Sequence, residues 1–471
     1  MNLRNTFLKA KGAFKMGRYE KVFFCGVSNS DDLKVVLNYD IGGVLLYPSV
    51  FEDPSEFAEI MCNLEGKKLL VSTDHEGGQL EILPFIPQSP GNLLFGQTNP
   101  DFVFKYCNLS GKFMKELGIN MIFAPVLDLK FPETNPVIGY RSYGSDPKKV
   151  SEFGLSAING YKAAGLLSCA KHFPGHGRTR QDSHQEIAVV DIDREELDKD
   201  LYPFRIAVQN GVDSIMMAHV IYSKIDEKPA SISRRFIDSM LRNELQYDGL
   251  IISDAVEMKS LSRHYSPEDI LVDFFSSRGD MLIISRPRTL RIYVEMLHKL
   301  IKNGKLEKTF LAESMQRIEK ISPAIEDSYG FIRHAIEEAV EFHIEQLRSE
   351  QAVLVLPDLT FYSEADVSES YLEFFKKQAK RFLKAKIIPF SGINSVSGNV
   401  LIIDLLIDAS DKEIVAHRKL SENFETVHII TRNPFLKTYF CDRNYIVTYS
   451  LSPIVMGYVF KKISRFLKGG V

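Results

Sequence analysis

Short runs of apolar residues recur along the first two thirds of the chain, and polar segments separate them. Each run is almost continuously apolar, which is the pattern of a strand buried on both faces of a parallel sheet. In chain order the runs are KVFFCGVS, IGGVLLYPS, KKLLVSTD, INMIFAPVLDL, LLSCAKH, VDSIMMAHVI, DGLIISDAV and GDMLIIS. The pattern therefore predicts eight buried strands.

The segments between these strands have helical spacing. Three of them combine polar starts, apolar residues three and four apart and a terminal glycine: DPSEFAEIMCNLEG, REELDKDLYPFRIAVQNG and SRRFIDSMLRNELQYDG. Eight strand–helix alternations over roughly 250–300 residues are typical of a (β/α)₈ barrel of the TIM type. A doubly wound open sheet is the alternative, but it does not explain the residues that follow the strands.

Polar residues gather where the predicted strands end. In a (β/α)₈ barrel these ends converge on one mouth, where active sites of this fold lie. One such residue taken alone, for example Asp128, is better interpreted as a helix cap. Polar residues at the ends of five predicted strands together indicate a shared site. The residues are Asp74, Asp128, Lys171 with His172, His219 and Asp254.

The chain changes character after about residue 325. ISPAIEDSYGF predicts a linker, and a long helix is predicted over 332–349. The apolar runs AVLVLP, NVLIIDLLI, TVHIITR and NYIVTYS then predict strands of a smaller α/β sandwich. We therefore expect an α/β protein of two domains, 1–325 and 326–471. This second region contains neither a GxGxxG nor a Walker loop, so nucleotide binding has little support there.

Composition and charge exclude several function classes. The chain has 471 residues with 45% hydrophobic and 25% charged positions, as in ordinary globular proteins of two domains. Its formal net charge of −3 lacks the basic footprint of a nucleic-acid-binding protein. No apolar run approaches the roughly 18 residues of a membrane span, and the basic N-terminus lacks the apolar core of a secretory signal.

The cysteines indicate the compartment. Five of them are scattered along the chain without a CxxC pair, so neither a disulfide framework nor a thiolate zinc site is predicted. A reducing cytoplasm fits this usage best. The sequence leaves the oligomeric state open, with a homodimer among the options.

The segment AKHFPGHGRTRQDSH, residues 170–184, carries three histidines and allows two interpretations. As a metal site, His172 and His176 have the i, i+4 spacing of helical zinc motifs. Pro174 and Gly175 between them prevent a regular helix, so this interpretation requires a nonhelical site that also uses Asp182 and His184.

As an acid–base device, the same segment supplies a proton donor with an ordinary pKa near 6.5, His184. Asp182 is placed to accept a hydrogen bond from one ring nitrogen and leave the other for the substrate. Asp254, at the end of the seventh strand, is the matching carboxylate across the site.

Four separated motifs resemble the family 3 glycoside hydrolases, and in particular their β-N-acetylglucosaminidases (β-N-acetylhexosaminidases). The motifs are KHFPGHGRTRQDSH, STDHEGG, APVLDLKFPETNPVIGYRSYGSDP and LIISDAVEM, and the resemblance covers roughly residues 20–325. In that family the first domain is a (β/α)₈ barrel, and some members carry a second α/β sandwich domain. The resemblance implies a glycosidase that needs no cofactor and no metal.

The resemblance also implies roles for individual residues. Asp254 matches the nucleophile, His184 the general acid/base and Asp182 the aspartate that pairs with this histidine. A retaining glycosidase needs a carboxylate and a group that acts first as acid and then as base. The positions that hold the terminal N-acetylglucosamine are matched by Asp74, Arg141, Lys171 and His172. For Arg141 the residues leave a second interpretation, an ion pair with Asp146 that ties loops together.

The expected function is therefore a retaining exo-β-N-acetylglucosaminidase acting on peptidoglycan fragments or chitin oligosaccharides. Phosphorolysis stays open, because a neutral histidine does not repel phosphate as a carboxylate does. A metallohydrolase and a catalytically silent sugar-binding protein are further alternatives. Two departures from the family pattern bear on substrate preference: Ala255 replaces a usual second aspartate, and Gln79 and Ile82 lie where an arginine is usual.

Overall fold

The computed structural model describes 17–83, 86–131, 137–179 and 187–323 in the first part of the chain. In the rest it describes 338–344, 347, 349, 351–356, 376, 379–380, 382–406, 411–430, 434–440, 442–448 and 453–467. The chain separates into two compact units, Met1–Glu52 with Leu64–Ser328 and Asp53–Asn63 with Tyr329–Val471. The predicted boundary at 325/326 lies outside the described residues and stays a prediction.

A closed barrel of eight parallel strands forms the first unit and confirms the predicted (β/α)₈ fold. Each predicted apolar run overlaps one barrel strand. The strands are β1 Phe23–Val27, β2 Gly43–Leu46, β3 Leu70–Thr73, β4 Met121–Ile122, β5 Leu167–Phe173, β7 Ser214–Met217, β9 Leu250–Ala255 and β10 Met281–Ile284. Pairing of Phe23 with Leu282 closes the barrel between β1 and β10. Two further short strands, β6 Ala188–Val190 and β8 Val220–Tyr222, pair with each other outside it.

Helices alternate with the barrel strands. Those of the first unit are α1 Ser30–Val36, α2 Pro48–Phe51, α4 Asn92–Phe95, α5 Pro100–Glu116, α6 Pro147–Ala163, α7 Arg194–Gln209, α8 Lys259–Ser262, α9 Pro267–Ser276, α10 Pro287–Lys302 and α11 Lys308–Ile321; α3, Pro54–Leu64, groups with the second unit. A π-helix, Arg235–Glu244, and 3₁₀ turns at Gly17–Val22, Gly139–Arg141 and Ala230–Ile232 complete this part. Asparagine, aspartate or serine side chains accept first-turn N–H groups of α1, α5, α6, α7 and α9, at Asn29, Asn99, Asp146, Asp193 and Ser266.

Both sides of the barrel strands are buried, as the continuous apolar runs predict. Strands β1, β2, β3, β7 and β10 are buried at every position. Phe24 of β1 meets Phe123 edge to face, with ring centroids 5.4 Å apart. Burial on both sides fixes the strands rigidly, so the residues that follow them have defined positions at the mouth.

The second unit is a six-stranded sheet with helices. The strand order is β11-β16-β15-β14-β12-β13, parallel except where β11 joins β16. The strands are β11 Glu341–His343, β12 Gln351–Leu356, β13 Lys386–Pro389, β14 Val400–Leu406, β15 Glu425–Ile430 and β16 Asn444–Val447; the helices are α12 Asp411–Asn423 and α13 Pro453–Leu467, with 3₁₀ turns at Phe390–Ser395 and Pro434–Tyr439.

Alternate residues of this sheet enter different apolar clusters. Leu354 and Ile403 pack with Phe460 of α13, whereas Val355 and Ile402 pack in a separate cluster with Leu420 of α12. Because successive strand residues point to opposite faces, the two helices lie on opposite sides of the sheet. This confirms the predicted α/β sandwich.

The predicted helix over 332–349 is wrong at Glu341–His343, although residues 338 and 339 before them are helical. Residues Glu341–His343 form β11, antiparallel to β16, with Phe342 opposite Ile446. The stretch also begins a run of alternating apolar positions, and pairing with a sheet edge overrides its helical spacing.

In the described part of the chain, no helix has the length and apolar character needed to cross a membrane.

Candidate active site

Five of the seven predicted site residues line one cavity of about 690 Å³ at the C-terminal ends of the barrel strands. Asp74 follows β3, Lys171 and His172 lie in β5, and Asp254 lies near the end of β9, whereas Arg141 lies in a 3₁₀ turn between β4 and β5. The five are Asp74, Arg141, Lys171, His172 and Asp254. The other two, Asp182 and His184, lie outside the described residues, and their roles stay predictions.

Asp254 stands near the end of β9 and borders the cavity. Its Oδ1 accepts a hydrogen bond from the backbone N–H of Ala255 at 2.7 Å. Burial alone raises the pKa of a carboxyl, but His219, His172 and the Ala255 N–H outweigh it, so the pKa of Asp254 lies below its ordinary value. The carboxylate is therefore ionised at neutral pH, the form that a nucleophile needs.

His219 is held beside this carboxylate by its two ring nitrogens. Nε2 lies 3.1 Å from the carbonyl oxygen of Ala255, and Nδ1 lies 2.7 Å from Oγ of Ser231. A carbonyl only accepts, so Nε2 carries the proton and Nδ1 accepts from the serine hydroxyl. Burial lowers the pKa of His219, which is consistent with this neutral tautomer. The backbone of Ala255, one of the departures from the family pattern, thus orients a histidine.

Lys171, in β5, is buried and paired with two carboxylates. Its Nζ lies 2.7 Å from Oδ1 of Asp74 and 2.6 Å from Oε1 of Glu76. Burial by itself lowers the pKa of an amine, but the two carboxylates reverse the effect and raise the pKa of Lys171. The lysine is therefore a permanent cation in the cavity.

Arg141, at the end of a 3₁₀ turn, pairs with the same glutamate through two hydrogen bonds. Nε donates to Oε2 and Nη2 donates to Oε1 of Glu76, each at 2.7 Å. Such a planar pair fixes the guanidinium in orientation as well as position. The alternative partner from the sequence, Asp146, instead caps α6 by accepting from the N–H of Lys148.

Glu76 was not among the predicted site residues, although it joins two of them. Despite complete burial, which raises the pKa of a carboxyl, Lys171 and Arg141 lower the pKa of Glu76 to about 2. Its position in DHEGG, two residues beyond Asp74, was the available signal. What the sequence could not indicate is that this one carboxylate serves both cations.

Asp128 holds the histidine segment in place. Its Oδ2 lies 2.7 Å from Nδ1 of His172, and its Oδ1 accepts from the backbone N–H of His176 at 2.6 Å. Because the carboxylate of Asp128 accepts this hydrogen bond, the proton of His172 is on Nδ1, and Nε2 is the ring nitrogen that does not face Asp128. Burial raises the pKa of a carboxyl, yet His172 outweighs this and keeps the pKa of Asp128 low. The helix-capping interpretation of Asp128 is therefore wrong.

Histidines of the described part of the chain do not form a metal site. No three His, Cys, Asp or Glu side chains among the described residues are arranged to hold an ion. The ring of His172 packs edge to face against that of His176, with centroids 5.7 Å apart, and Nδ1 of His176 lies 3.2 Å from Oγ1 of Thr179. These residues by themselves do not fit a zinc ion, and Asp182 and His184 lie outside the described residues.

The loop after β3 carries Gln79 and Ile82, the other departures from the family pattern, and both line the cavity. His75 fixes this loop, since its Nδ1 accepts from the N–H of Ile82 at 3.1 Å and its Nε2 lies 3.2 Å from the Tyr106 hydroxyl. Gly78 has φ +65°, and an added Cβ there would lie 2.7 Å from Cα of Gly91. The loop therefore requires glycine at this position.

Comparison with known proteins identifies a family. The family model described as the glycosyl hydrolase family 3 N-terminal domain matches residues 15–321. The chain is 30% identical over 330 residues to "Beta-hexosaminidase A" of Pseudoalteromonas piscicida. This alignment covers 63% of the chain and 55% of the relative, so the chain spans about half the length of that protein.

Solved structures resemble almost the whole chain. The β-N-acetylglucosaminidase from Thermotoga maritima is 36% identical with a TM-score of 0.86, and the similarity covers 94% of this chain and 99% of that one. Zinc-bound CbsA from Thermotoga neapolitana is 35% identical with a TM-score of 0.84, covering 95% of this chain and 99% of that one. Both domains of the chain therefore have counterparts in these structures.

Proposed function

The chain belongs to glycosyl hydrolase family 3, and from this premise we propose that it is a retaining exo-β-N-acetylglucosaminidase. The observation that carries the proposal is the position of Asp254, an ionised carboxylate bordering a cavity that also contains Asp74, Arg141 and Lys171. A carboxylate in the same cavity as fixed polar groups suits attack on a held sugar ring.

In the proposed first step, an oxygen of Asp254 attacks the anomeric carbon and the glycosidic bond breaks. The departing oxygen takes a proton from His184, whose other ring nitrogen hydrogen-bonds to Asp182. In the second step His184 removes a proton from water, and the resulting hydroxide oxygen bonds to the anomeric carbon as the ester to Asp254 breaks. Two inversions leave the configuration of the sugar unchanged.

We assign the terminal sugar to the polar groups that line the cavity together with Asp254. Lys171 and Arg141 donate hydrogen bonds only, which suits sugar hydroxyl oxygens, and Asp74 accepts from hydroxyl protons. Their mutual ion pairs hold these groups in place before the substrate arrives, so little ordering is left for the binding step. His172, oriented by Asp128, completes the set.

The test measures release of p-nitrophenol from the β-N-acetylglucosaminide and then traps the glycosyl-enzyme intermediate. We expect turnover by the wild type, none by Asp254→Ala with unchanged folding, and labelling of Asp254 by a 5-fluoro glycoside. Labelling of a different carboxylate, or near-normal turnover by the variant, would refute the assignment.

The same assay with a chelator tests whether turnover requires a metal ion. Every proposed role is filled by a side chain, so we expect turnover to survive prolonged chelation. The structure of zinc-bound CbsA makes this test necessary. If chelation removed turnover and zinc restored it, the histidines of 170–184 would have to be reassigned as ligands.

We further propose a cytoplasmic location, because the cysteines are dispersed. Four of them, Cys25, Cys62, Cys107 and Cys169, are free thiols in the described part of the chain. Cell fractionation tests this, and recovery of the protein from an oxidising compartment would contradict it.

The natural substrate is either a peptidoglycan fragment or a chitin oligosaccharide, and the two differ in charge.

A further inference from the structure

A second cavity of about 880 Å³ lies in the first unit, and we call it the outer groove. The loop after β3, the start of α4 and Tyr140 surround it. The outer groove shares Gln79 with the catalytic cavity.

We propose that the outer groove binds the uncharged N-acetylglucosamine units that follow the terminal residue of the substrate. This rests on the proposed function and extends it, since it selects a neutral chitin-type oligosaccharide over a peptidoglycan fragment that carries carboxylates. The terminal sugar occupies the catalytic cavity, and the rest of the chain leaves that cavity past Gln79.

Continuity between the two cavities supports this path. Arg141 lines the catalytic cavity, and its neighbour Tyr140, in the same 3₁₀ turn, lines the outer groove. One rigid turn therefore presents a cation to the terminal sugar and an aromatic ring to the units beyond it. The bidentate pair of Arg141 with Glu76 holds this turn in place.

The surface of the groove suits a pyranose with an acetamido group. Tyr140 is 68% exposed and Leu94 is 54% exposed, so both present apolar area to solvent. A tyrosine ring offers a flat apolar face with a polar tip, which fits the apolar face of a sugar ring. Amides that both donate and accept hydrogen bonds surround it, as the acetamido and hydroxyl groups require: Gln79, Gln88 and Gln97.

Charge distinguishes the two substrate classes. Among the described residues that line the outer groove there is no lysine, arginine or histidine, and Glu81 is the charged member. Oε1 of Glu81 accepts from the N–H groups of Gly78, at 3.2 Å, and Ser89, so the carboxylate is fixed within the wall. A lactyl or peptide carboxylate would meet this negative charge without a compensating cation, whereas a neutral sugar would not.

The first experiment compares specificity constants for three substrates. They are the p-nitrophenyl N-acetylglucosaminide, the uncharged trimer of N-acetylglucosamine, and N-acetylglucosamine linked to anhydromuramic acid. We expect the wild type to prefer the trimer to the acidic disaccharide by at least about tenfold. For Tyr140→Ala we expect the ratio of trimer to aryl glycoside to fall by about tenfold, and for Tyr140→Phe, which keeps the ring, to change less than twofold.

The second experiment introduces a positive or a negative charge at one exposed position of the outer groove, Gln97. We expect Gln97→Lys to raise the specificity constant for the acidic disaccharide several-fold relative to the trimer. Gln97→Glu, a matched change of opposite sign, should lower it. If the wild type turned over the aryl glycoside but preferred the acidic disaccharide, or if the Tyr140 and Gln97 variants left all ratios unchanged, the outer-groove proposal would fail alone. Absence of turnover of every substrate would instead refute the proposed function, and this inference with it.

Discussion

At the scale of single residues, Glu76 sets the arrangement of positive charge in the catalytic cavity. It is the common partner of Arg141 and Lys171, and it is buried. We expect Glu76→Gln to lower kcat/KM for the aryl glycoside by roughly a hundredfold or more, because two cations then lie together without their shared anion. Loss of one partner from a buried ion pair costs about 3–5 kcal/mol, so a lower melting temperature should accompany it.

Asp146→Asn is the matched control for this prediction. The sequence offered Asp146 as the partner of Arg141, but the structure uses it to cap α6, and asparagine caps equally well. Its kcat/KM and melting temperature should therefore stay close to those of the wild type. A loss of activity in Asp146→Asn as large as in Glu76→Gln would mean that the pairing of Arg141 has been assigned to the wrong carboxylate.

His184 is the proposed general acid/base. Only substrates with poor leaving groups need protonation of the departing oxygen, so His184→Ala should slow alkyl or sugar glycosides far more than activated aryl glycosides. Asp182→Ala should give the same pattern more mildly. Comparing kcat/KM along a series of leaving groups measures this. Equal losses along the series for His184→Ala would indicate a structural or metal-binding role.

The sequence indicated the polar residues that follow barrel strands, Asp128 included, but it did not indicate which partners hold them in place. Asp74, Lys171, His172 and Asp254 were found because they follow apolar runs that barrel geometry brings to one mouth. The carboxylates Glu76 and Asp128 act through partners 65 and 44 residues away. Spacing along a chain carries no information about pairs that only the closed barrel brings together.

At the scale of elements, the extent of burial decides which strands the sequence predicts. The barrel strands were predictable because burial on both faces leaves a continuous apolar run. β13 and β11, at the two edges of the second sheet, were not among the predicted strands. Edge strands are short and only partly buried, and their pattern resembles a helix or loop: Lys386–Pro389 shows one buried position and Glu341–His343 shows none.

One buried carboxylate ties elements of the second unit together. Asp404 of β14 lies 2.8 Å from Nδ1 of His417, in α12, and 2.7 Å from Nδ1 of His428, in β15. Nε2 of His428 in turn lies 2.8 Å from Oγ of Ser421, near the end of α12. Although this order resembles a catalytic triad, the serine is at the C-terminal end of a helix, where the dipole disfavours an oxyanion. The network is therefore structural.

The contribution of the Asp404 network to stability should depend on pH. Burial raises the pKa of a carboxyl, but His417 and then His428 lower the pKa of Asp404 from 3.8 to about 2. A carboxyl whose pKa is lowered by folding stabilises the fold fully above its unfolded pKa, and the contribution is lost as the pH falls towards the folded one. The window is thus between about pH 4 and pH 2, and at 1.36 kcal/mol per unit it amounts to about 2 kcal/mol.

Amide hydrogen exchange in peptides that cover 400–406 and 425–430 measures this in the full chain. We expect Asp404→Asn to exchange faster than the wild type at pH 5, and the difference between them to shrink as the pH is lowered through the window. Asp442→Asn, a change at a half-exposed carboxylate, is the control and should track the wild type. A difference for Asp404→Asn that stays constant with pH would contradict the linkage.

At the scale of the whole molecule, the two units were predictable to different depths. The motifs of the first unit contain residues suited to catalysis and sugar binding, so the sequence indicated its fold, its family and most of the charged and histidine side chains that line its cavity. The second unit has a fold pattern but no matching motif, and so the sequence indicated only its architecture. The difference arises because a catalytic cavity restricts residue identity, whereas a packed sheet restricts only hydrophobicity and size.

The choice of acceptor is a property of the complete reaction. A nucleophilic Asp254 gives two inversions, so the β-anomer should form first in phosphate-free buffer. We expect water to remain the main acceptor in phosphate, because the cations Arg141 and Lys171 are paired with carboxylates and assigned to the sugar, and neither is left over to bind an anion. Proton NMR of the first-formed product in a zwitterionic buffer and at millimolar phosphate tests both points. An α-anomer formed first without phosphate would exclude double displacement, and N-acetylglucosamine 1-phosphate as the dominant product would make the enzyme a phosphorylase.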